Sequence, residues 1–159
     1  MKEFPVADAF GQFDKKWALV CAGTPERHNA MTISWGGLGT LWSRPVATVY
    51  VKPVRYTWQF LEENDYFTVS FYPEECREAL SVMGSTSGRD GDKDAAAGLT
   101  PVAAGESTTY AQAEATLLCR KIYAQDLDLD RIPAEVARTY YRTEAPHRMY
   151  IGEVIDVIR

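Results

Sequence analysis

The chain has 159 residues, enough to bury one substantial core and too few for a second independent one, so residues 1–159 are read as a single domain. Its 46% hydrophobic and 25% charged composition is that of a folding chain and argues against intrinsic disorder. With 17 basic against 22 acidic side chains the net charge is -5, and the basic residues form no stripe, which argues against a nucleic-acid partner. Cys21, Cys76 and Cys119 are odd in number and widely spaced, so they form no disulfide framework and no Cys-x-x-Cys motif. They read as free thiols in a reducing compartment. His28 and His147 stand far apart without metal-ligand spacing, and no metal is expected. Residues 1–5 never reach an apolar run of signal-peptide length, and no window is long enough to cross a bilayer, so the expectation is a cytoplasmic protein with no membrane partner.

In chain order, residues 17–22 are short and apolar and end at Gly23-Thr24-Pro25, a strand followed by a turn. Residues 29–35 alternate, with Met31, Ile33 and Trp35 on one face and Thr32 and Ser34 on the other. The glycine-rich stretch 36–40 that follows reads as backbone free to bend sharply or to approach a ligand. A β-branched strand over 46–51 is closed by Pro53, a helix spans 55–63, and a strand returns over 66–71. Pro73 with Glu74 and Glu75 starts a helix that extends to about Met83, and residues 84–92 form a polar loop. A short helix over 93–97 stops at Gly98. Residues 113–125 suit one bent strand or two, residues 126–130 form an acidic surface link, residues 132–138 start a short helix, and residues 148–158 close the chain as a strand. Six or seven strands with few, short helices argue for an antiparallel barrel or sandwich, between which periodicity does not choose.

The phosphate loop of nucleotide hydrolases, the dinucleotide-binding glycine fingerprint and the serine-hydrolase elbow are all missing. What remains suits one oxyanion and a planar ring. Arg55 and Thr57 follow a strand, and Ser85, Ser87 and Arg89 surround Gly88, a set of fork and hydroxyl donors that phosphate accepts but that ordinary turns and surface ion pairs also use. Trp35 and Trp58 read first as core aromatics, with flavin packing as their other use. Thr32 and Ser34, next to accessible glycine backbone, are better suited to the edge of a ring.

The chain also resembles a family. Asn29-Ala30-Met31-Thr32-Ile33-Ser34-Trp35, Ser43-Arg44-Pro45, Lys52-Pro53-Val54-Arg55-Tyr56-Thr57, residues 66–70, Ser87-Gly88-Arg89-Asp90 with Lys93, and His147 ahead of residues 150–154 occur in the order and spacing of the flavin reductase-like proteins, which include flavoredoxin. The resemblance covers residues 16–157 and implies a mainly β fold, an FMN-binding split β-barrel with a few short peripheral helices, assembled as a homodimer with FMN near the subunit boundary. It implies that Met31, Thr32, Ile33 and Ser34 border the isoalloxazine, and that Arg55 and Thr57 hold the phosphate. Ser85, Ser87, Arg89 and Lys93 would close around the phosphate or ribityl chain, with His147 beside the pocket. The family often has asparagine where this chain has Ser70, and glycine-aspartate where it has Glu144-Ala145-Pro146.

The expected activity is electron transfer from NADH or NADPH through FMN to flavin or another small acceptor. The cofactor carries the redox chemistry, and His147 is the one nominated catalytic residue, for substrate orientation or proton supply within the ordinary histidine range. The rival readings are a flavoredoxin-like electron carrier serving a redox protein partner and a non-redox ligand-binding barrel.

Overall fold

A computed structural model describes residues 6–159; residues 1–5, read above as no leader, lie outside them. The elements are α1 (Val6–Asp14), β1 (Ala18–Thr24), β2 (Arg27–Ile33), β3 (Gly36–Leu41), β4 (Arg44–Val51), α2 (Tyr56–Glu63), β5 (Tyr66–Phe71), α3 (Arg77–Ser85), α4 (Lys93–Ala97), β6 (Pro101–Ala104), β7 (Ser107–Tyr110), β8 (Ala115–Asp126), α5 (Ala134–Tyr140) and β9 (Arg148–Ile158). Short 3-10 helices occur at Glu74–Cys76 and Leu129–Arg131.

Seven strands pair antiparallel in the order β2-β1-β5-β8-β9-β4-β3, and β6 with β7 forms a separate hairpin. The two edges, β2 and β3, are separated in sequence only by Ser34 and Trp35. At about 3.6 Å per residue, the chain from Ile33 to Gly36 reaches at most about 11 Å. One edge must therefore return to the other, and the sheet curls into a barrel split between β2 and β3, which resolves the choice that periodicity left open.

Strand β1 sets the layering. Its alternate residues Ala18, Val20 and Ala22 face the barrel core with Met31, Val49, Phe60, Phe67, Val69 and Tyr150. Leu19 and Cys21 face an outer cluster with Leu80, Met83, Leu99 and Tyr110. Helix α2 thus supplies Phe60 and Leu61 to the interior, while α3 lies across the outside of β1 and β2 with Leu80 and Met83. Inside the barrel Gly152 is required by space, since a Cβ there would sit 2.6 Å from the Phe67 ring and 2.7 Å from Cys119.

Three expectations change. The glycine-rich stretch is no bend but the edge strand β3, paired with β4 through a turn in which Trp42 and Ser43 both have positive φ; small residues leave the strand's outer face bare without preventing pairing. The hairpin β6–β7 has no counterpart in the sequence reading, so the described residues form nine strands rather than six or seven. Its Ser107-Thr108-Thr109 run looks like loop but is buried, and hydroxyls fasten it to the sheet. Thr68 Oγ1 donates to Thr108 O at 2.6 Å, Thr108 Oγ1 donates to Gly23 O at 2.8 Å, and the hydroxyls of Ser70, Thr109 and Thr116 meet one another at 2.7 to 3.1 Å. Lastly, Gly84 and Ser85 belong to the end of α3 rather than to the loop.

The bent strand expected over 113–125 is the single strand β8, with register shifts against β9 at Leu118/Cys119 and Lys121/Tyr123. Gly98 ends α4 at φ 70, a conformation that suits glycine best. Among the described residues, no helix is long and apolar enough to cross a membrane.

Candidate functional site

Residues expected to hold an oxyanion converge behind β2. Arg55 stands at the N-cap of α2 and Thr57 in its first turn, Ser85 to Ser87 close α3, and Lys93 opens α4. With Asn29, Met31, Tyr56 and Gly84 they line a cavity of about 230 Å³ that contains no carboxylate.

The cations of this cavity are held by carbonyls rather than by acids. Arg55 Nη2 donates to Gly84 O at 3.0 Å, and Lys93 Nζ donates to Met83 O at 3.1 Å and Thr86 O at 3.3 Å. Lys93 is only 6% exposed. Burial, and next the positive charge of Arg55, push its pKa down to about 8 against the opposing pull of Asp94. Two cations without a lining counter-charge favour an anion, and both retain unspent donors to meet one.

The neighbouring side chains fix the walls. Asn29 Nδ2 donates to the buried Thr57 Oγ1 at 2.7 Å, and Gly88 passes so close that a Cβ would lie 2.2 Å from Asn29 Oδ1. Of two expected donors, Ser85 is engaged as a donor, and Ser87 accepts a bond that leaves its own hydrogen free. Ser85 Oγ donates to Ser81 O at 2.8 Å, and Ser87 Oγ accepts from the Arg89 amide at 3.2 Å. Arg89 does not line the cavity: its guanidinium lies 4.8 Å from the centre of the Tyr56 ring and donates to Val54 O at 3.2 Å, so it braces a wall residue.

Met31 also lines a second cavity of about 200 Å³, with Thr32, Ile33, Ser34, Trp35, Tyr50 and His147. Thr32 departs from its expected role as a hydroxyl donor, because its Oγ1 donates to Leu80 O on the α3 side; it offers the second cavity backbone instead. Trp35 is not a core residue but is 42% exposed, its ring 5.2 Å from those of both Tyr140 and His147. Trp58 packs against the core as a half-buried aromatic.

His147 lines this second cavity but does not titrate in the ordinary histidine range. Burial, then the positive charge of Lys52, lower its pKa to about 4. Its ring is therefore neutral at pH 7 and is no imidazolium proton source. The Tyr141 hydroxyl lies 2.8 Å from Nδ1 and shares a hydrogen bond with it.

The sequence reading missed a network beside the first cavity. His28 Nε2 lies 2.6 Å from Asp94 Oδ2, and Tyr110 Oη donates to Asp94 Oδ1 at 2.7 Å. His28 and Asp94 are 66 positions apart, so no local pattern pairs them. Asn29 lay within the quoted motif without being singled out, and only its contact with Thr57 reveals its role. A larger cavity of about 910 Å³ lies apart from these residues, lined by Lys15 and Arg77 but also by Glu74 and Glu114. Its mixed charge gives an anion no preference.

A split barrel with an anion-seeking cavity that joins an aromatic one defines a class of protein suited to a phosphorylated ligand with a planar ring. Residues 10–159 match the family model described as flavin reductase like domain, and the chain belongs to that family, an enzyme family of flavin-dependent oxidoreductases. No curated protein matches the sequence. Among solved structures it is similar to a flavoredoxin from Methanosarcina acetivorans, with 18% identity over 90% of this chain and 67% of that one, at a TM-score of 0.71. An FMN-binding protein from Thermus thermophilus with bound 1-cyclohex-2-enone is 20% identical over 100% of this chain and 78% of that one, at a TM-score of 0.73. An NADH:FAD oxidoreductase from Streptomyces globisporus C-1027 is 19% identical over 97% and 81%, at 0.70. These likenesses establish the split-barrel fold.

Proposed function

We propose that this chain binds FMN across the two cavities, phosphate at Arg55 and Lys93 and ring along residues 31–34, and passes electrons from NADH or NADPH to a flavin or another small acceptor. The observation that supports it best is the carboxylate-free cavity in which Lys93 and Arg55 face each other. A phosphate there satisfies both cations and offsets the burial and the Arg55 repulsion that lower the Lys93 pKa.

Bound FMN would supply the redox chemistry, which no side chain here provides. The protein contributes orientation. Arg55, Lys93 and the loop through Ser87 hold the anionic end, and Asn29 fixes Thr57 in the wall between α2 and β2. Met31 spans the junction, and the backbone of 32–34 offers polar groups to a ring edge. His147 acts as a neutral orienting group. Trp35 and Tyr140 give an incoming planar substrate an exposed aromatic surface.

We further propose a cytoplasmic homodimer of single-domain chains. Leu38, 55% exposed on β3, and Trp42, 64% exposed at its turn, are apolar surface that a second copy would cover. The free thiols Cys21, Cys76 and Cys119 suit a reducing compartment.

The decisive experiment is an oxygen-free visible spectrum of FMN-loaded, desalted protein before and after NADH and then NADPH. Retained flavin absorbance that bleaches on addition of either donor supports the reductase. Retained absorbance that persists until a redox protein is added assigns the chain to the carriers, and a colourless protein overturns FMN binding.

A further inference from the structure

The side chain of Asp94 lines neither proposed cofactor cavity, yet it ties together three elements around them. One carboxylate oxygen lies 2.6 Å from His28 Nε2 on β2, and the other accepts from Tyr110 Oη on β7 at 2.7 Å. His28 Nδ1 faces the carbonyls of Thr24 at 3.1 Å and Pro25 at 3.0 Å. Every group near the two ring nitrogens is an acceptor, so both nitrogens carry hydrogen and His28 is an imidazolium. The His28 and Asp94 side chains are only 10% and 18% exposed, which shields the pair from solvent.

This arrangement matters because of what α4 carries. A helix of 5 residues has no stability of its own, so its position depends on what it touches. Asp92 caps it internally, and Ala97 and Leu99 pack against the outer cluster that includes Ala30 of β2. Asp94 adds the helix's polar bonds to β2 and β7. Lys93 is the preceding residue, and its ammonium reaches back to the end of α3 at the edge of the cavity.

We propose that Asp94, clasped by His28 and Tyr110, is a positioning residue that fixes α4 on the β1–β2 hairpin and thereby sets Lys93 at the anion cavity. The clasp itself stands on the geometry; its consequence for FMN rests on the functional reading above. His28 lies next to Asn29, which lines the cavity, so β2 contributes a wall residue and the anchor for the lysine in consecutive positions. The groups that face Lys93 are Arg55 from α2, Asp94 on its own helix and Cys21 from β1.

The test uses the full chain with His28→Gln, Asp94→Asn and the milder Tyr110→Phe, which keeps the ring and removes one hydrogen bond. In flavin-free protein, amide hydrogen exchange over residues 93–99 is expected to rise about tenfold in the first two variants and less in the third, with β8 and β9 amides unchanged. FMN dissociation constants should rise about tenfold in the same order. In Asp94→Asn the loss of FMN affinity with alkali should also begin at lower pH than in the wild type, because the carboxylate no longer supports the Lys93 charge. His28→Gln, which keeps that carboxylate, should show no such downward shift, a contrast that a purely structural clasp would not produce. Wild-type exchange over 93–99 in both main variants overturns the clasp. Faster exchange with FMN affinity within about twofold of the wild type overturns its link to the cofactor. A wild-type chain that takes up no FMN removes the cofactor reading alone, and the exchange data still decide whether α4 is held this way.

Discussion

The two histidines stand at opposite ends of the proposed site, and their pKa values are shifted in opposite directions. At the anionic end His28 is surrounded by Asp94 and two backbone carbonyls; burial works against its charge, but these acceptors outweigh it and raise its pKa. At the ring end burial of His147 prevails, the positive charge of Lys52 adds to it against the weaker pull of Glu144, and the pKa falls to about 4. Burial opposes the charge of both rings, and only beside His28 do acceptors overcome it. One end is thus a set of fixed charges built around an anion, and the other is an uncharged aromatic surface with a single orienting imidazole.

Removing charge at the first end should have the largest effect. Lys93→Met is expected to weaken FMN binding by about 10- to 100-fold, the loss of one charge-assisted hydrogen bond of about 1.5–3 kcal/mol. The flavin-free variant should change little in melting temperature, because relief of a desolvated cation offsets the loss of its bonds to Met83 O and Thr86 O. At the other end, His147→Gln should change FMN affinity by less than about threefold while slowing bleaching by nicotinamide, since its role is to orient substrate. Equal loss of FMN affinity in both variants would erase the division between the ends.

A smaller effect is a titration of affinity. Lys93 has a pKa of about 8 in the free protein, and a bound phosphate would raise it, so binding is coupled to proton uptake. FMN affinity should be level through neutrality and decline above about pH 8, and Lys93→Met should abolish the decline. Flavin fluorescence titrations across that range measure both.

Strand β4 was legible because its β-branched run 46–51 buries Val46, Val49 and Val51, β2 was placed by Met31 and Ile33 although Asn29 and Ala30 are buried as well, and α4 with its Gly98 stop was legible because both ends carry turn chemistry. The hairpin β6–β7 was not, because its buried face is built from hydroxyls that have partners only in the fold. Strand β3 was hidden for a similar reason, since glycine at an edge strand gives no periodic signal. In the site, the residue types were readable, and so were the places of Arg55, Thr57 and Lys93 in one cavity. What local sequence does not contain is the electrostatic environment: Lys52 beside His147 and Asp94 beside His28 lie 95 and 66 positions away from them, and each reverses or strengthens an expectation drawn from the bare side chain.

The smallest effect expected is on stability, and it separates the two histidines by sign. The His28 pKa lies above its unfolded value of about 6.5, so the native state keeps a proton that the unfolded chain releases. Its contribution is complete below about pH 6.5 and is lost as pH rises through the raised value. The His147 pKa of about 4 lies below the unfolded value, so the unfolded chain takes up a proton that the native state refuses. Its contribution is present above about pH 6.5 and is lost as pH falls toward 4. Melting temperatures followed from about pH 4.5 to 8.5 should therefore diverge in opposite directions. The deficit of His28→Gln relative to the wild type should be greatest on the acid side of neutrality and shrink with alkali, whereas His147→Gln should lose less stability than the wild type on acidification. Curves for both variants that run parallel to the wild type would mean that the fold shifts neither histidine.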